Sequence, residues 1–274
     1  MADNKDKSKL TSALTTVAQP GEKKGGGLMS ALGGKAVSVR DGREIQHVDK
    51  GTLNALSTVR KGSGGAAGHM AYVIDATGSR SRTWAEAQRI QSDMFREAAK
   101  GGELTVRLIH FGGYEVSDRG WHTSAGSLTS VMNKVSCSAG ATQINESVER
   151  ILGSSGKLPR NIVLIGDSYE EDNESLMITA SKLVAHGIKV FAFLDVLDGP
   201  GSGEPAFRTL AEKTGGSFQI FGQGMNLKAL CEAVAAYTTG GDDALKKLAQ
   251  TSKEAKAIGA QVLRLSGPSA GPKP

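Results

Sequence analysis

Cysteine is nearly missing from this chain. Cys137 and Cys231 are the only two, far apart and in unrelated patterns. A disulfide framework and a thiolate metal cluster are therefore both excluded, and two free thiols in a reducing compartment are expected. Long apolar runs are missing too. No stretch approaches the ~20 residues that a membrane-spanning helix needs. The first residues, MADNKDKSKL, are charged from the start, unlike a secretory leader. A cytoplasmic protein is expected. The common catalytic signatures are also absent. There is no G-x-x-x-x-G-K-[ST] phosphate loop, and neither GKLPRN nor KGSGGAAGH substitutes for one. No G-x-S-x-G stands between a strand and a helix, where a hydrolase nucleophile would sit.

What is present is uneven along the chain. Apolar residues make up 39% of it, and glycine alone accounts for 36 of the 274 residues. That suits one sizeable core with substantial loops and tails. The net charge of +5 comes from the ends, because residues 1–64 and 242–274 are basic and the middle is slightly acidic. An acidic middle argues against a DNA-binding core. Contact with nucleic acid or an acidic membrane through the basic tails is the less favoured reading, with solubility the simpler one. The expected organisation is a basic, Gly/Ser/Lys-rich, largely flexible extension over 1–64, a folded domain over 65–241, and an amphipathic helix with a disordered tail over 242–274.

Within the middle, apolar strands alternate with amphipathic helices. Met70–Ile74, Leu104–Phe111, Asn161–Ile165, Ile188–Leu194 and Ser217–Phe221 read as strands; Met70–Ile74 is apolar throughout and so buried on both faces, and Asn161–Ile165 and Ile188–Leu194 are apolar runs like it. Tyr114–His122 is more polar and reads as a short strand or hairpin arm. Thr83-Trp84-Ala85-Glu86 has capping-box spacing and is expected to open a helix running to Gly101-Gly102. Thr142 is expected to open another. Helices follow around Leu176–Val184, Phe207–Ala211 and Leu227–Tyr237, the last ending at Gly240-Gly241, and one more spans 242–265. The class is α/β: a doubly wound, mainly parallel sheet with one short antiparallel edge strand and helices on both faces. Such sheets bind ligands beyond the carboxyl ends of their strands.

Asp75 and Asp167 each stand at such an end. Asp75, Thr77 and Ser79 alternate along an extended segment, so their side chains can converge on one side. With Thr142 and Asp167 they offer hydroxyl and carboxylate oxygens and no sulfur or imidazole. That donor set suits a hard cation such as Mg²⁺, with Mn²⁺ or Ca²⁺ as alternatives. Two carboxylates leave a divalent ion short of negative charge, which favours a carboxylate from outside. Each residue alone could equally cap a loop or a helix. Arg80 and Arg82, then Glu170 and Asp172, flank these positions and form a candidate rim for a partner, or a set of solvated charges. An aspartyl-phosphate enzyme would want a second Asp two residues after the first, and Thr77 stands there. Catalysis is not expected.

DATGS at 75–79, GAT at 140–142 and LIGDS at 164–168, in this order, resemble the von Willebrand factor type A (VWA) domain and its metal-ion-dependent adhesion site. ASKLVAHGIKVFAFLDV and FRTLAEKTGGSFQIF resemble two further segments of that family. The resemblance covers roughly residues 69–240. It implies a Rossmann-like fold and a Mg²⁺ held by Asp75, Thr77, Ser79, Thr142 and Asp167. It also implies a protein partner that presents Asp or Glu to the metal. Intracellular members suggest adaptor work, with an AAA+ ATPase or within a multiprotein assembly. A structural protein acting through its tails and a metal-dependent hydrolase or phosphotransferase are the alternatives. The sequence departs from the family in Ser168, where Asp-Gly is common, in Thr77 for the usual Ser, and in FAFLDV, which lacks the usual terminal Gly.

Overall fold

The computed structural model describes residues 68–98, 100–196, 202–222 and 225–263. The expected N-terminal extension and the SGPSAGPKP tail lie outside these residues. Among the described residues six strands form one sheet: β1 (Gly68–Asp75), β2 (Leu104–Gly112), β3 (Glu115–His122), β4 (Asn161–Gly166), β5 (Lys189–Asp195) and β6 (Ser217–Phe221). The order across the sheet is β3-β2-β1-β4-β5-β6. All neighbours are parallel except β3, which runs antiparallel to β2 at one edge. The sheet thus has the class its apolar runs require, because strands covered on both faces leave no room for a polar alternation.

Eight helices are present among the described residues: α1 (Trp84–Arg89), α2 (Gln91–Ala98), α3 (Ala125–Met132), α4 (Ile144–Leu152), α5 (Asn173–Ala185), α6 (Glu204–Thr214), α7 (Leu227–Leu248) and α8 (Lys253–Val262). The period-two alternation of β1 sorts them. Met70, Tyr72 and Ile74 face one core with residues of α2, α3, α7 and α8, while Ala71 and Val73 face the other with α4, α5 and α6. Among the described residues no helix is long and apolar enough to cross a membrane.

Four local expectations are corrected. Thr83 does not cap a helix. It follows a 3₁₀ turn (Gly78–Arg82) with helical backbone angles, and its hydroxyl donates to the Arg80 carbonyl at 3.3 Å instead. The expected single helix breaks at Ile90, and α1 and α2 are separate pieces. Thr142 stands two residues ahead of α4, its hydroxyl used elsewhere. Gly240-Gly241 does not end α7, which bends there and continues. Gly241 adopts φ 65°, a conformation that glycine reaches without steric cost. The stretch 242–262 is then two helical segments, the end of α7 and α8. Leu245, Ala255, Ile258 and Val262 enter the core beside Leu230 and Val234. Gln261 of α8 also reaches the edge strand. It accepts from the Phe218 amide at 2.9 Å and donates to the Phe218 carbonyl at 3.1 Å, occupying groups of β6 that would otherwise offer a template to another strand.

Candidate functional site

The strand order reverses at β1, with β2 on one side and β4 on the other, so the crevice between the carboxyl ends of β1 and β4 is the switch point. Asp75 is the last residue of β1, and Asp167 follows the last residue of β4. The parallel register, Ile74 beside Ile165, brings the two strand ends level. Gly166 makes the approach possible. A Cβ there would lie 3.2 Å from the Asp75 Cβ and 3.4 Å from its Oδ2.

Past Asp75 the chain leaves the sheet in two steps. Ala76 still donates to the Phe111 carbonyl at 2.8 Å, and Thr77 then pairs with Ser138 of a later loop. Thr77 donates its amide to Asp75 Oδ1 at 2.7 Å, closing an Asx-type turn. This turn brings the Thr77 and Ser79 hydroxyls to 3.1 Å of one another. That spacing matches the ~3.0 Å edge of an octahedron with ~2.1 Å metal–oxygen bonds, the geometry that Mg²⁺ demands. Thr77 is buried and Ser79 exposed, so the pair runs from the core to the surface.

Asp75 is fully buried, and its Oδ2 has no hydrogen-bond partner among the described residues. Burial pushes its carboxyl up to about 6, with the Asp167 charge adding to the rise; the hydrogen bonds from Thr77 and the Arg80 charge oppose it. A buried carboxylate oxygen without a donor is what a site built around a cation would contain. The donors fit one. Among the described residues no three His, Cys, Asp or Glu side chains are grouped to share a metal. An ion held here would therefore rest on hydroxyls beside two carboxylates.

Thr142 lies in the loop before α4 and is tied to the loop that follows Asp167. Its buried hydroxyl accepts from the Glu170 amide at 2.9 Å, and its own amide faces Glu170 Oε2 at 3.4 Å. This reciprocal pair ties the loop before α4 to the loop after β4. Glu171, between the rim candidates Glu170 and Asp172, completes the tie. Its carboxylate accepts from the amides of Ile144 at 2.5 Å and Asn145 at 3.0 Å, so it caps α4 from a distance. Asp172 caps α5 through the Ser175 amide at 2.7 Å. The acidic run is thus largely committed to backbone donors. A local signal could have found the Asp172 cap, which lies three residues before Ser175. No local signal points to Glu171, whose partners are more than twenty residues away.

The candidate rim divides. Arg82, Glu170 and Asp172 are at the surface. Arg80 is not, and its place on the rim is corrected. The 3₁₀ turn carries its side chain inward, where it is 1% exposed, ion-paired with Asp195 at the end of β5 and 5.7 Å from the Phe221 ring centroid. Beside these residues stands the β2–β3 turn, Gly113-Tyr114. Gly140 has no room for a Cβ, which would lie 2.7 Å from the Tyr114 amide nitrogen. Tyr114 is held at φ 63° with 75% of its surface exposed. No sequence pattern marks it.

No protein-family model matches the chain, and no match among curated proteins is found. Solved structures do match. The chain is similar to the VWA domain of SpRpn10 at 14% identity, over 64% of this chain and 98% of that one, with a TM-score of 0.49. It is similar to the conserved hypothetical protein BatB from Bacteroides thetaiotaomicron at 15% identity, over 67% and 99%, with a TM-score of 0.48. It is also similar to proximal thread matrix protein 1 from the mussel byssus with a zinc-occupied MIDAS motif, at 15% identity over 63% of this chain and 45% of that one, TM-score 0.47.

Proposed function

We propose that this protein is a metal-dependent protein-interaction module and not an enzyme. In this reading Asp75, Thr77, Ser79, Thr142 and Asp167 hold a divalent cation, Mg²⁺ in the cell, with Mn²⁺ and Ca²⁺ as substitutes. The observation that carries the reading is the buried, unpartnered Asp75 Oδ2 next to two hydroxyls at octahedral-edge spacing, at the switch point of the sheet. When bound, the cation supplies a Lewis-acidic position for an acidic side chain of a partner.

The chain's own residues prepare that event. Asp75 is fixed by the Thr77 amide and excluded from water. Thr142 is oriented by the Glu170 amide, which leaves its second lone pair for the cation. Ser79 is the exposed member, at the edge where a partner would enter. The resemblance in the motifs extends the reading to an adaptor in the cytoplasm, working with an AAA+ ATPase or within a multiprotein assembly.

The test is affinity capture from native lysate with wild type and Asp75→Ala, each in Mg²⁺ and in EDTA, read by mass spectrometry. The expected result is a partner held only by wild type with Mg²⁺, while both proteins keep the same circular dichroism. A partner held equally under all four conditions would move the function to the tails and end the metal-dependent reading.

A further inference from the structure

Among the described residues, three of the four exposed large apolar side chains stand on one helix. They are Met177, Ile178 and Val184 of α5, which are 41%, 49% and 51% exposed. The fourth, Tyr114, is on the β2–β3 turn. A helix that covers a sheet normally divides into an apolar and a polar face. Helix α4 does so: Ile144, Val148 and Ile151 are buried, while Glu146, Glu149 and Arg150 are exposed. Helix α5 does not. Leu176, Ala180 and Leu183 are buried, and Met177, Ile178, Ser181, Val184 and Ala185 form a second stripe that faces out. Ser181 adds no polar demand to that stripe, because its hydroxyl donates to the Met177 carbonyl at 2.8 Å. A helix apolar on both sides is suited to cover on both sides.

The charges on the outer face say what covers it. Glu174 is exposed in the first turn of α5, and Lys182 is exposed in the last. Lys182 also reaches Glu149 of α4 at 2.6 Å, and both members of that pair remain open to solvent. A face that is acidic at one end, apolar in the middle and basic at the other is complementary to itself turned end for end. We propose that α5 is the contact between two copies of this chain, with the two helices antiparallel and crossing at the Ile178–Ser181 turn. Each Glu174 then lies beside the Lys182 of the other copy. One helix face is small beside the ~800 Å² that each partner gives to a standard interface, so the dimer is weak and depends on concentration. Antiparallel helices reverse the sheets as well. The carboxyl ends of β1 and β4 therefore point in opposite directions in the two copies.

The experiment is sedimentation equilibrium of the full chain from about 10 μM to about 1 mM, the range a small interface calls for. EDTA is present throughout, so the result does not depend on the metal-site reading. The average mass is expected to rise from 28.5 kDa towards twice that value. Ile178→Lys should weaken association at least about tenfold. Glu174→Lys and Lys182→Glu should each weaken it roughly fivefold, because each reverses two symmetry-related pairs. An equimolar mixture of these two variants should recover the dimer, because only the mixed pair sets opposite charges side by side. All these positions are exposed, and circular dichroism checks each fold. Wild type that stays monomeric throughout would overturn the proposal and assign the face to a different protein or to a lipid surface. A dimer that Ile178→Lys leaves unchanged would also overturn it. A mixture no more associated than its components would overturn the antiparallel pairing.

Discussion

At the scale of single residues, the site turns on one carboxyl group. Asp75 titrates in the folded metal-free protein at about 6, against 3.8 for an ordinary aspartate. A raised acid favours the folded state at low pH, and that contribution is lost as pH rises from about 4 through about 6. A cation takes the ionised form, so its affinity runs in the opposite direction. Mg²⁺ titrations across about pH 5 to 7.5 should show affinity level above about pH 6 and falling roughly tenfold per unit below it. A flat profile would contradict the placement of Asp75 among the ligands. The sequence groups Asp75, Thr77 and Ser79 by alternation on extended backbone, but Ser79 lies in the 3₁₀ turn, and it is the Thr77 turn that brings the two hydroxyls together. The inward course of Arg80 was not legible. Its neighbours Ser81 and Arg82 are exposed, and only the tight 3₁₀ turn after Thr77 directs it into the core. Its partner Asp195 lies 115 residues away.

At the scale of elements, the strands were legible and the helix ends were not. Met70–Ile74 of β1 and Ile162–Ile165 of β4 are apolar without a break because helices cover both faces, and that pattern needs no tertiary information. Helix boundaries depend on which hydroxyl finds which amide. Thr83 and Thr142 both read as caps, but one is drawn to the Arg80 carbonyl and the other to the Glu170 amide. The cap that α4 does use comes from Glu171 in another loop. Glu171→Ala should therefore free two backbone donors at the start of α4 and cost about 1–2 kcal/mol in denaturant unfolding. Because the same loop carries the partner of Thr142, it should also weaken metal binding. An unchanged unfolding midpoint would show that water replaces the carboxylate without loss.

At the scale of the whole molecule, the sheet order creates the crevice, and the proposed ligands come from three separate segments. Asp75 ends β1, Thr142 stands in the loop before α4, and Asp167 directly follows β4. Strands β1 and β4 are adjacent, with Val73 beside Leu164. Their ends meet because the chain, after the β2–β3 hairpin, crosses back to place β4 on the far side of β1. This arrangement was legible in outline, since alternating apolar strands and amphipathic helices admit few topologies. The continuation of α7 past Gly241 and the entry of α8 into the core were not legible, because a glycine pair reads as a stop unless the packing beyond it is known.

The central claim, that five oxygens from three segments hold one cation, is tested most directly by crystals grown in Mn²⁺ and an anomalous difference map. The account predicts one strong peak in the crevice between β1 and β4, bonded to the Thr77 and Ser79 hydroxyls at about 2.2 Å or less, with Asp75, Thr142 and Asp167 around it. No peak there at saturating Mn²⁺, or a peak only elsewhere on the molecule, would contradict it.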